Sequence, residues 1–195
     1  MFILLISLFM SAFAAPPDEV VEPPKTEIVI RTGGGLAFGS VPQAPNARPT
    51  FGIGLGFEAN YSVVAERWKG RRGHAFRAQV DSTDSFGCST STAVQAGPTW
   101  LFASPGQQLR LSAGVGVLGG AEQVSNTGCS NTLRPNTPWR PIVTGRADIG
   151  VDMRLSRLRI RPAWYAELAS SGTNIVGFGV SFGFAVPTGA GKDAP

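Results

Sequence analysis

Residues 176–186 read VGFGVSFGFAV, with a large apolar side chain at every even position and Gly, Ser or Ala at every odd one. Strict alternation sends successive side chains to opposite sides, so this stretch is a β-strand with one bulky apolar face and one nearly bare face. In a water-soluble sheet the bulky face packs inward. In a membrane barrel the assignment reverses, and the small face lines the interior.

Apolar alternation recurs in eight segments, residues 27–38, 51–61, 74–80, 93–102, 109–118, 143–153, 158–168 and 176–186, separated by turn-forming residues. Most have the roughly 9 to 11 residues with which a tilted strand crosses a bilayer; the third is the weakest by length. No segment reads as a long amphipathic helix, and VVAERWKG, residues 63–70, supplies at most a turn or two of one. An even number of antiparallel strands closes without free edges. The expected fold is therefore all-β, an eight-stranded antiparallel up-and-down transmembrane β-barrel over residues 27–186.

With the amino terminus on the inner side, the connections 39–50, 81–92, 119–142 and 169–174 lie outside, and 62–73, 103–108 and 154–157 lie inside. Two of the inner connections are short while two of the outer ones are long and polar, as in outer-membrane barrels. Cys88 and Cys129 fall in adjacent outer connections.

The termini differ from the strands. MFILLISLFMSAFAA opens the chain, an apolar run too short to span a bilayer as a helix and followed by Ala12, Phe13 and Ala14. It reads as a secretory signal over residues 1–14, although no Lys or Arg precedes the apolar run. Residues 15–26 are a Pro-rich linker and residues 187–195 a flexible tail. Export brings the chain into oxidising conditions, so Cys88 and Cys129 are expected to form a disulfide.

The net charge of +4 comes almost wholly from Arg, Lys occurring only at 25, 69 and 192. No basic cluster is interleaved with stacking aromatics, which argues against a nucleic-acid partner. The densest basic run, RWKGRR at residues 67–72, reads as a solvated turn.

On one face lie Phe51, Ile53, Leu55 and Phe57, then Leu109, Leu111, Val115 and Val117, then Ile149, Val151 and Met153. The opposite face carries Glu58, Arg77, Gln79, Gln95, Arg110, Arg146, Asp148, Asp152, Arg159, Arg161 and Glu167 among Gly, Ser and Ala. A lipocalin-like soluble barrel has the same alternation with the faces exchanged. Aromatics near strand ends on the bulky face (Phe38, Phe51, Trp100, Phe102, Phe184) and the glycine-rich opposite face favour the membrane assignment. The charged residues then form a pairing network that plugs the lumen, or line a narrow solute or ion path; desolvation favours pairing.

The signal, strand count, alternation and loop parity resemble the small outer-membrane β-barrel family, which includes the transmembrane domain of outer-membrane protein A. The resemblance spans residues 27–186 and rests on architecture, with no short diagnostic motif. It implies a bacterial outer-membrane location, lipid as the surrounding medium, and a structural or surface-interaction role. Chains of this kind commonly stop at a terminal aromatic, whereas here eleven residues follow Phe184.

Catalytic and cofactor motifs are sparse. GVGVLG, residues 114–119, matches GxGxxG but sits in an alternating strand with no βαβ unit, so lumen-facing glycine is the plain reading. CxxC, GxxxxGK[ST], HExxH and GxSxG are absent, and no cofactor or metal is expected from them. The resemblance also brings lipid A deacylases, with a His and Ser two residues apart. The only histidine, His74, has Phe76 at that spacing and begins a strand at the inner rim, which favours an interfacial histidine. The longest outer connection holds Leu133, Trp139 and Arg140, a candidate contact for a surface or envelope protein or, for Trp139, a membrane-interface anchor.

Overall fold

The computed structural model describes residues 26–40, 55–84, 89–106, 108–126 and 138–187. They form β1 (Thr26–Ser40), β2 (Leu55–Lys69), β3 (Arg72–Asp84), β4 (Ser89–Ala103), β5 (Leu109–Asn126), β6 (Arg140–Leu155), β7 (Leu158–Ala169) and β8 (Asn174–Pro187). Each strand pairs antiparallel with the next, and β1 pairs with β8 from Glu27↔Pro187 to Ser40↔Asn174, closing the barrel. Two ladders are interrupted without losing register. Between Ala96↔Gly119 and Thr99↔Gly116 stands Pro98, and between Gly150↔Ala163 and Met153↔Ile160 stands Pro162; neither proline has an N–H to donate.

The connections sort by end. Residues 70–71, 104–108 and 156–157 join strands at one end, together with the start of β1 and the close of β8. Residues 41–54, 85–88, 127–139 and 170–173 connect at the other. We call these the short-turn and long-loop ends.

The expected inner connection over residues 62–73 is corrected to residues 70–71, because β2 continues to Lys69 and pairs with Arg72. The reason is a local reversal of polarity. Here the interior positions are Ser62, Val64, Glu66 and Trp68, while Arg67 and Lys69 face outward, so neither face is uniformly apolar. VVAERWK is strand, not helix, and Trp68 is a core residue rather than part of a solvated turn. At the turn itself, Gly70 adopts φ 62°, a left-handed conformation that glycine enters without a Cβ penalty.

The barrel is apolar outside and polar inside. Ile30, Phe38, Phe76, Trp100, Val115, Trp164, Phe182 and Phe184 are exposed on the exterior. Phe38 packs edge-on against Phe57 and Trp164 against Phe178, each with ring centroids 5.3 Å apart. The interior holds buried Arg, Asp and Glu side chains. This is the reverse of the arrangement that a lipocalin-like soluble barrel requires. The short-turn end of the interior is closed by an apolar cluster of Val29, Val64, Trp68, Ala75, Leu101, Ala103 and Ala185.

Interior glycines make room for large side chains. A Cβ on Gly177 would lie 2.5 Å from Cζ of Tyr165, and one on Gly183 2.6 Å from Cγ of Arg31. In GVGVLG, Gly114 and Gly116 face inward, and a Cβ on Gly114 would come within 3.0 Å of Asp148 Oδ1. The lumen-facing reading does not extend to Gly119, which faces outward with nothing within 4 Å of a Cβ; its neighbour Leu118 is the inward, fully buried residue.

Candidate functional site

The lumen side chains fall into three layers because inward positions on neighbouring strands come level with one another through the register. A chain of ion pairs shares the short-turn end of the lumen with the apolar cluster. Arg31 donates from Nε to Glu66 Oε1 at 2.8 Å and from Nη2 to Asp152 Oδ1 at 2.7 Å. Asp152 Oδ2 accepts from Arg110 Nε at 2.8 Å. Glu66 Oε2 accepts from the Trp68 indole at 2.8 Å, and the Arg110 guanidinium lies 4.2 Å from that ring's centroid. Glu27 accepts from Arg159 at 2.9 Å and Arg154 at 3.2 Å.

The middle layer is basic. Asp148 is surrounded by three guanidiniums, ion-paired with Arg161, 3.5 Å from Arg77 and 3.9 Å from Arg146. Arg161 also donates to Ser112 Oγ at 2.8 Å, and Arg77 to Ser62 Oγ at 3.2 Å. Arg146 lies 4.1 Å from the centroid of the Tyr165 ring, whose hydroxyl accepts from Asn60 at 2.7 Å. A cavity of about 40 Å³ borders these groups.

Nearest the long-loop end the layer is acidic. Glu58, Asp81 and Glu167 are all buried and offer oxygens within 4.8 Å of one another. Glu167 Oε1 accepts from Arg146 and, at 3.1 Å, from Gln79 Nε2. The same Gln79 nitrogen lies 3.0 Å from Asp81 Oδ2, which also accepts from Gln95 Nε2 at 2.8 Å. Glu58 Oε2 accepts from Thr83 Oγ1 at 3.2 Å. A cavity of about 20 Å³ opens among them.

The structure thus places Glu58, Arg77, Arg110, Arg146, Asp148, Asp152, Arg159, Arg161 and Glu167 in one buried interior, divided between the layers. Sequence reasoning passed over Arg31, Glu66 and Asp81. Arg31 shares the parity of Gly33 and Gly35, which was a usable signal. Glu66 fell in the polarity-reversed stretch, and Asp81 lay just beyond the third alternating segment.

Of the loop residues, Arg140 is the first residue of β6 and is ion-paired with Glu122 Oε2 at 3.0 Å, with its side chain still 39% exposed at the barrel rim. Trp139 is half-exposed beside it. Leu133, Cys88 and Cys129 lie outside the described residues, as does the expected disulfide. His74 is on the exterior of β3, paired across the strand with Trp100 and facing away from the lumen carboxylates.

No protein-family model matches the chain, and no curated protein matches it in sequence. Solved structures do match. Neisserial surface protein A aligns at 11% identity over 83% of this chain and 96% of that one, with a TM-score of 0.52. The N-terminal β-barrel domain of Pseudomonas aeruginosa OprF aligns at 10% identity over 85% and 100%, with a TM-score of 0.49. Ail, the attachment invasion locus protein of Yersinia pestis, aligns at 9% identity over 85% and 100%, with a TM-score of 0.46. At such identities likeness speaks to fold, and it is the first of these that carries it. The chain has the closed eight-stranded architecture of the small outer-membrane barrels.

Proposed function

We propose that this protein is an exported outer-membrane barrel whose lumen is a structural plug and whose long-loop end serves surface interaction. An apolar exterior around a charged interior supports membrane insertion, since lipid replaces the core that a soluble barrel would need. The observation that carries the plugged reading over a channel is the burial of the interior charges. Arg31 is 2% exposed and Asp152 0%, whereas a water-filled path would wet the side chains that line it. Lipid A hydrolysis draws no support from His74, whose exterior position separates it from every interior acid.

The test is conductance of the refolded full chain in planar bilayers. The proposal expects no discrete current steps from wild type. Reproducible steps that scale with protein inserted would replace the plug with a pore. Leu133, Trp139 and Arg140 are the residues we assign to partner or interface contact at the long-loop end, with outer-membrane lipid as the surrounding medium and a surface or envelope protein as the partner class.

A further inference from the structure

We propose that the acidic layer near the long-loop end holds one divalent cation of calcium type, bound by Glu58, Asp81 and Glu167 and completed by Gln95 and Thr144. The first ground is charge. Among the described residues Arg146 is the one guanidinium in ion-pair contact with the trio, and it is shared with Asp148. Three buried carboxylates with a single shared cation leave an excess of negative charge that burial makes costly.

The second ground is independent of the carboxylates. Gln95 Oε1 and Thr144 Oγ1 line the same cavity and have no hydrogen-bond partner, in residues only 5% and 1% exposed. Glu58 Oε1 and Asp81 Oδ1 are likewise unpartnered. Elsewhere in the lumen the unpartnered buried atoms are Arg nitrogens, apart from Thr99 Oγ1. Lone acceptors are therefore gathered in the layer poorest in positive charge. A proton shared between Glu58 and Asp81 would satisfy two of these oxygens, and waters would satisfy all of them without supplying charge. A cation does both.

Size and donor type choose the ion. The donors are all oxygen, which selects a hard cation over zinc or copper. Three atoms within 4.8 Å of one another always share a point no more than about 2.8 Å from each, against calcium–oxygen distances of about 2.3–2.6 Å and magnesium–oxygen distances of about 2.0–2.1 Å. The cavity of about 20 Å³ has room for roughly one water-sized sphere, too little for magnesium with the several waters it retains.

The experiment uses the full chain refolded in a phosphate-free detergent and stripped with EDTA. Calcium is then titrated with calorimetry and with urea unfolding as readouts. Expected are one calcium per chain, a rise in the unfolding midpoint that magnesium reproduces poorly, and affinity weakened at least about tenfold in Glu58→Gln and Asp81→Asn. Glu27→Gln, in the layer at the short-turn end, keeps both responses. Should Asp81→Asn fail to fold, Glu58→Gln and the wild-type stoichiometry decide. Absence of stoichiometric binding with no midpoint shift overturns the proposal in favour of protonated or hydrated carboxylates. Equal calcium responses in wild type and Glu58→Gln overturn it in favour of surface binding.

Discussion

Asp152→Ala isolates the energetic role of the ion-pair chain. Asp152 is fully buried and accepts from Arg31 at 2.7 Å and Arg110 at 2.8 Å. At an effective dielectric of about 20, unit charges about 4 Å apart attract by about 4 kcal/mol, so losing both contacts removes about 8 kcal/mol of attraction. Deleting the carboxylate also removes its desolvation penalty, several kcal/mol for a buried ion, which leaves a net loss of about 3–5 kcal/mol. Glu66 and Glu27 still face the two guanidiniums, so the loss belongs toward the lower end of that range. Urea unfolding of the refolded barrel in micelles, followed by tryptophan emission, measures it, and Trp68 reports locally because its ring lies against Arg110. Asp152→Asn, which keeps an acceptor but not the charge, should fall between wild type and Asp152→Ala. The exterior substitution Ser82→Ala should be silent. A loss of under about 1 kcal/mol for Asp152→Ala would mean that the layer is solvated and the plug argument fails.

Interior and exterior glycines should respond differently. Gly177→Ala forces a methyl to 2.5 Å from Tyr165 and should cost about 1–3 kcal/mol, while Gly119→Ala meets nothing within 4 Å and should be neutral; equal effects in urea unfolding would refute the steric reading. Val180→Arg places a charge on the lipid face and should cost about 2–4 kcal/mol on insertion into vesicles. A lipid-confined quencher should reach a probe at position 180 but not one at 181. Quenching at 181 with protection at 180 would exchange the faces.

How much of this was visible in the sequence depends on contrast between the two faces. Along β8 the contrast is maximal, Phe and Val against Gly, Ser and Ala, and the side of each residue could be read directly. Along residues 62–69 it vanished, because the interior there is apolar Val64 and Trp68 while the exterior is Arg67 and Lys69 at the end of the barrel. The layers were out of reach for another reason. Glu58 and Asp81 lie on adjacent strands, but Glu167 on β7 meets them across the lumen, with Gln79 donating to both Asp81 and Glu167. That meeting depends on the width of a closed eight-stranded barrel and on its register, neither of which any local pattern encodes.

The pairing of β1 with β8 has a consequence for biogenesis. Of the strands, Thr26–Ser40 is synthesised first and Asn174–Pro187 last, yet each supplies the other's missing ladder. Until the final segment is made, an assembling sheet carries two open edges, templates for pairing with other chains. Closure is a contact between opposite ends of the polypeptide, the slowest kind to form. Both edges are therefore vulnerable until the ends of the barrel meet, and a carrier that holds the chain extended until Pro187 is available would protect both at once.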